Sequence, residues 1–114
     1  MDAGFADIPE DEILSAEFWE DKANELFSSN RYREAIIFYD RAIAIRPDYA
    51  KARYNRGVAL ERLGRYDDAL TSFERAMDLE PDCQQVWRGK SWALRMLGRA
   101  KEAEEAFGKA WELG

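Results

Sequence analysis

The stretch RYREAIIFYDRAIAIRPD, Arg31 to Asp48, is nearly restated as RYDDALTSFERAMDLEPD, Arg65 to Asp82. Pro47 and Pro81 lie 34 residues apart, and the same step carries Tyr32 to Tyr66, Ala35 to Ala69, Arg41 to Arg75 and Ala42 to Ala76. A fixed period of this length predicts a stack of similar units, each burying its apolar face against the next.

Working outward from the two blocks, units begin at Ala16, Ala50 and Gln84, with ranges 16–49, 50–83 and 84–114. Each contains two apolar-periodic segments of about fourteen residues, a common helix length, so each unit reads as a helix pair. Asn30, Gly64 and Gly98 mark the break inside each pair, because they tolerate the left-handed backbone by which a chain leaves a helix. Between units, Pro47 and Pro81 end the helices, and Asp48 and Asp82 are candidate N-caps for the next, Asp82 with Gln85 three residues on. Small residues recur in phase (Ala23, Gly57 and Ser91; Ala35, Ala69 and Ala103) and permit close helix approach. Trp19 and Trp87, with Tyr39, Phe73 and Phe107, are the large residues expected to fill the space between.

The 114 residues suit one domain, 15–114, preceded by an acidic tail or helix extension at 1–14. Residues 1–21 hold eight acids and no base, so the remainder carries +2 of the overall −6. No apolar run is long enough to cross a membrane, and the opening MDAGFADIPEDE is acidic where a secretory signal is basic and then apolar, which predicts a cytoplasmic protein. With no histidine and the single Cys83, the chain lacks the parts of a Cys/His or Ser/His/Asp nucleophile and of a zinc site, so no cofactor, no metal and no catalytic residue is expected. The pI near 4.8 and the lack of a basic stripe argue against nucleic acid as partner.

Taken together, Trp19, Ala23, Leu26, Tyr32, Ala35, Tyr39, Ala42 and Pro47, restated as Gly57, Leu60, Tyr66, Ala69, Phe73, Ala76 and Pro81 and again through Trp87, Ser91, Leu94, Gly98, Ala103, Phe107 and Ala110, resemble the tetratricopeptide repeat (TPR). Departures are Arg53 at the tryptophan position, Lys22, Arg56 and Lys90 at a leucine position, and Ala100 at a tyrosine position. The resemblance implies an all-α, right-handed superhelical array of three helix-turn-helix units, non-enzymatic, that binds a peptide or partner segment on the concave surface formed by the first helices. Side chains implied there include Glu17, Glu20, Asp21, Asn24 and Phe27; Lys51, Tyr54, Asn55, Val58, Glu61 and Arg62; and Gln85, Arg88, Trp92, Arg95 and Met96.

Asn24, Phe27, Lys51, Tyr54, Asn55, Arg62, Arg88, Trp92 and Arg95 are the ligand-binding candidates. The first helix of the third unit has Arg88, Lys90 and Arg95 and no acid, so acidic groups of a ligand belong at that end. Trp92 follows Trp87 by five residues, about 140° around a helix, so one of the two faces away from the core. It either anchors a partner beside Tyr54 and Phe27 or packs on Tyr54. Some TPR proteins hold chaperone C-termini with a clamp of lysine, two asparagines, lysine and arginine; Asn24 and Asn55 match the asparagines, but the cationic places fall on Glu20, Gln85 and Gly89. A second reading is self-association as a homodimer through an open edge at Trp111 and Leu113. The acidic segment with Phe5, Ile8 and Ile13 is a further candidate occupant of the groove's basic end.

Overall fold

The computed structural model describes residues 15–114, and the expectations placed on residues 1–14 lie outside it. Among the described residues the fold is all-α: α1 (Ala16–Ser28), α2 (Tyr32–Ile45), α3 (Ala50–Arg62), α4 (Tyr66–Leu79), α5 (Gln84–Met96) and α6 (Ala100–Leu113). Helices pair as α1–α2, α3–α4 and α5–α6, and each pair stacks on the next through α2–α3 and α4–α5, giving the right-handed solenoid of three units. The first helix of each pair starts at Ala16, Ala50 and Gln84.

The turns inside the pairs share one hydrogen-bonding scheme. Asn30, Gly64 and Gly98 have φ of 61°, 77° and 80°. The left-handed residue lets the next N–H reach back five residues, so Arg31, Arg65 and Arg99 each donate at 2.9 Å to the carbonyls of Leu26, Leu60 and Leu94. These arginines then pair with the acid three residues on (Glu34, Asp68 and Glu102) at 2.6–2.7 Å, starting each second helix with a carboxylate in its positive first turn.

At the unit boundaries the N-cap expectation is corrected. The capping residues are Tyr49 and Cys83, not Asp48 and Asp82, and neither makes a side-chain cap. Tyr49 N–H donates to the Arg46 carbonyl and Cys83 N–H to that of Glu80, so each Pro-Asp pair occupies the two central positions of a turn and the aspartate falls one residue short of the cap. Ser15 does cap α1, its Oγ accepting from the Phe18 N–H at 3.4 Å.

Alanines pack the seams: Ala23, Ala35, Ala42, Ala52, Ala59, Ala69, Ala76 and Ala93 are fully buried, and Tyr39, Phe73, Leu60 and Leu94 are the largest side chains enclosed among them. Phe107, in the register of Tyr39 and Phe73, is 48% exposed, which corrects its expected place in the core. Phe73 lies under α5, whereas no described helix covers α6. Trp19 and Trp87 are half-buried rather than enclosed. Trp19 stacks on Phe38 at 5.6 Å, and the Trp87 indole N–H donates to the Pro81 carbonyl. Arg53, which replaces tryptophan at this register, makes the equivalent bond from Nε to the Pro47 carbonyl at 2.9 Å.

Candidate functional site

The side chains that the sequence assigns to the first helices separate into three groups. In the first, Glu20 of α1, which the family resemblance assigns to the concave surface, is only 3% exposed. Its carboxylate accepts from the Tyr49 hydroxyl at 2.7 Å and the Asn55 amide at 3.3 Å, and the Lys51 ammonium lies 3.6 Å away. Asn55 also donates to Asn24 Oδ1 at 3.5 Å, which accepts in turn from the buried Tyr39 hydroxyl. Burial beside the Glu20 charge pushes the Tyr39 and Tyr49 hydroxyls up, so both stay protonated donors. Asn24, Asn55 and Lys51 are thus committed to a network joining the first two units.

The second group is aromatic. Phe27 meets Tyr32 edge-on at 5.2 Å, with the Arg62 guanidinium 5.5 Å above its ring and reaching the Tyr32 hydroxyl at 3.4 Å. Tyr54 lies 5.7 Å from Phe73. Phe27 and Tyr54 each pair with a ring of their own unit, and among the described residues neither makes a ring contact with Trp92. Near Tyr54 stands Glu61: its Oε2 is shut off from solvent with no hydrogen-bond partner among the described residues, while the adjacent Arg62 lies over the Phe27 ring of the first unit. Desolvation pushes this carboxyl up to about 7.

The third group is open. Arg88, Ser91, Trp92 and Arg95 of α5 and Phe107 of α6 line a cleft of about 290 Å³. Trp92 is 53% exposed, and Phe107 adds an aromatic edge that the sequence reading assigned to the core. Arg88 and Arg95 make no hydrogen bond or ion pair among the described residues. Ser91 is buried, donating from Oγ to the Ala103 carbonyl at 2.8 Å, and holds α5 on α6 beneath the cleft. Of the two residues assigned to an edge, Trp111 is 77% exposed and Leu113 half-buried. Among the described residues no group of His, Cys, Asp and Glu could hold a metal ion, and no helix is long and apolar enough to cross a membrane.

An array of helix pairs with in-phase small residues, glycine turns and a first-helix surface defines the helical-repeat class of α-solenoids. The chain belongs to the tetratricopeptide-repeat family: a TPR repeat model matches residues 23–64, a tetratricopeptide repeat model matches 50–83, and the six helices fit three repeats. It is similar, 39% identical over 62 residues, to the peroxisomal targeting signal receptor of Eremothecium gossypii, a match covering 54% of this chain and 10% of the receptor. The chain thus spans about a tenth of the length of the curated relatives it matches. Among solved structures, MamA superposes with a TM-score of 0.84 at 28% identity, covering 87% of this chain and 58% of MamA. The second TPR domain of Spaghetti (RPAP3), bound to the HSP90 peptide SRMEEVD, superposes with a TM-score of 0.86 at 26% identity, covering 88% of this chain and 93% of that one.

Proposed function

We propose that this chain is a non-enzymatic protein-interaction module that takes an acidic peptide segment against the third repeat. The observation that carries this reading is the cleft between α5 and α6, where two unpaired guanidiniums flank an exposed indole. A half-exposed tryptophan beside arginines combines apolar contact area with charge-assisted hydrogen bonds, the pairing that dominates interface energetics. Similarity to a TPR domain bound to an acidic-ended peptide supports a peptide ligand. The clamp for chaperone tails is a poorer fit: Glu20 occupies one of its cationic places and is itself buried, while Asn24 and Asn55 are spent on the network around it.

Screening the full chain against an array of acidic and neutral peptides tests this. Acidic peptides carrying an apolar residue bind, and the double variant Trp92→Ala, Arg95→Ala loses capture while its circular dichroism stays helical. Unchanged capture by that variant rejects the cleft. A second reading, self-association, is favoured by the exposed Trp111 and Phe107 on α6. Light scattering at rising concentration separates the two, since a persistent monomer rejects assembly.

A further inference from the structure

The second unit carries a cluster of arginines that the groove does not use. Arg53 and Arg56 of α3, Thr71, Ser72 and Arg75 of α4, and Asp40 of α2 line a cleft of about 260 Å³. Its chemistry emerges from comparing the same register across units. In the first unit, Arg41 lies 4.9 Å from the Trp19 ring and 5.1 Å from the Phe38 ring, so its charge is accommodated on two aromatic faces. One period on, Arg75 stands in the place of Arg41, but the two rings have become Arg53 and Ser72. Arg75 therefore has no ring, hydrogen bond or ion pair among the described residues.

The other two guanidiniums are held in place and only partly used. Arg53 is tethered through Nε to the Pro47 carbonyl. Arg56 donates from Nε to Asp40 at 2.6 Å and from Nη1 to Ser72 Oγ at 2.8 Å, and Ser72 is only 4% exposed. Arg53, Arg56, Arg75, Thr71 and Ser72 line one depression that holds three positive charges against the single carboxylate of Asp40, and the Thr71 hydroxyl there donates to the Asp67 carbonyl at 3.3 Å. Like charges gathered this way repel, and a compact dianion with several acceptor oxygens offsets the repulsion while matching the guanidinium forks. An extended polyanion is a worse match, since the chain as a whole carries −6.

We propose that this cleft binds a phosphate monoester, the phosphorylated serine or threonine side chain of a partner protein, at a site separate from the groove. The test is a titration of the full chain, followed by the Nε–H NMR signals of Arg53, Arg56 and Arg75. The probes are acetyl-Gly-Ala-pSer-Ala-Gly-amide, its unphosphorylated form, and inorganic phosphate at matched ionic strength. Saturable shifts of the three arginine signals with the phosphopeptide, and none with the unphosphorylated peptide, are expected. Arg75→Glu weakens binding by at least about tenfold. The double variant Arg53→Trp, Ser72→Phe rebuilds the aromatic pair of the first unit around Arg75, so it also loses binding while remaining helical, whereas Arg88→Ala, Arg95→Ala leaves it intact. Absence of saturable shifts, or shifts that survive both cleft variants, overturns the site. An equal affinity for inorganic phosphate assigns the cleft to the free ion and overturns the protein-borne ligand.

Discussion

Phe73 of α4 lies so close to Gly89 of α5 that a Cβ at position 89 would stand 2.8 Å from its ring, and a Cβ on Gly57 of α3 would meet the same ring at 2.7 Å. One fully buried phenyl group thus holds its own helix pair together and receives the next pair. The side chain that Gly57 lacks sets the spacing inside the second unit, and the one that Gly89 lacks sets the distance to the third.

Gly89→Ala tests this seam. Alanine gains about 1 kcal/mol of helix propensity over glycine, but overpacking costs about 1–3 kcal/mol, and a ring confined from two sides has no room to give. The variant should unfold at lower urea concentration than the parent. Gly108→Ala in α6 is the matched control: nothing lies within 4 Å of its added Cβ, so the propensity gain of about 1 kcal/mol appears alone and the midpoint rises. If both substitutions stabilise, the packing account is wrong.

Equivalent registers should respond unequally to truncation. Phe73→Ala leaves a cavity at a position with 0% exposure, for a loss of about 3–5 kcal/mol. Phe107→Ala, at 48% exposure, should lose no more than about 1 kcal/mol. Equal losses in urea titrations would mean that Phe107 is covered in solution.

Removing the Glu20 carboxylate leaves the Tyr49 hydroxyl and the Asn55 amide short of an acceptor. Glu20→Ala should therefore destabilise by about 1–3 kcal/mol. In a double-mutant cycle with Tyr49→Phe, the coupling should exceed about 0.5 kcal/mol, because the 2.7 Å hydrogen bond ties α1 to the residue that starts α3. Strict additivity would show the bond contributes nothing to the stacking.

Glu61 makes stability depend on pH. Its folded value of about 7 lies above the ordinary 4.5, so the folded state binds the proton more tightly than the unfolded chain. The stabilisation is fully present below pH 4.5 and is lost as pH rises through 7. Glu61→Gln cannot ionise, so its stability relative to the parent should improve by roughly 1–3 kcal/mol between pH 4 and pH 8. Parallel stability curves for the two proteins would remove Glu61 as the titrating group.

Much of this architecture was legible in the residues because it follows from local backbone chemistry. A left-handed residue at Asn30, Gly64 and Gly98 ends a helix wherever it stands, and Pro47 and Pro81 end one because each keeps the preceding residue out of the helical region. Helical geometry required that one of Trp87 and Trp92 face away from the core, and Trp92 is the more exposed of the two, at 53%, beside a half-buried Trp87.

Side-chain environment was another matter. Glu20 has the polarity and register of a surface residue, yet Tyr49 and Asn55, some thirty residues away, enclose and satisfy it. Arg53 departs from the tryptophan of this register, but it keeps the proline-carbonyl bond and lines a cleft shared with α2 and α4. Phe107 repeats the register of Phe73 without its cover. The repeat was thus set by chain-local preferences that a periodic sequence displays directly, whereas burial, charge pairing and the two clefts were decided by how one helix pair rotates onto the next, which brings together residues that no spacing along the chain relates.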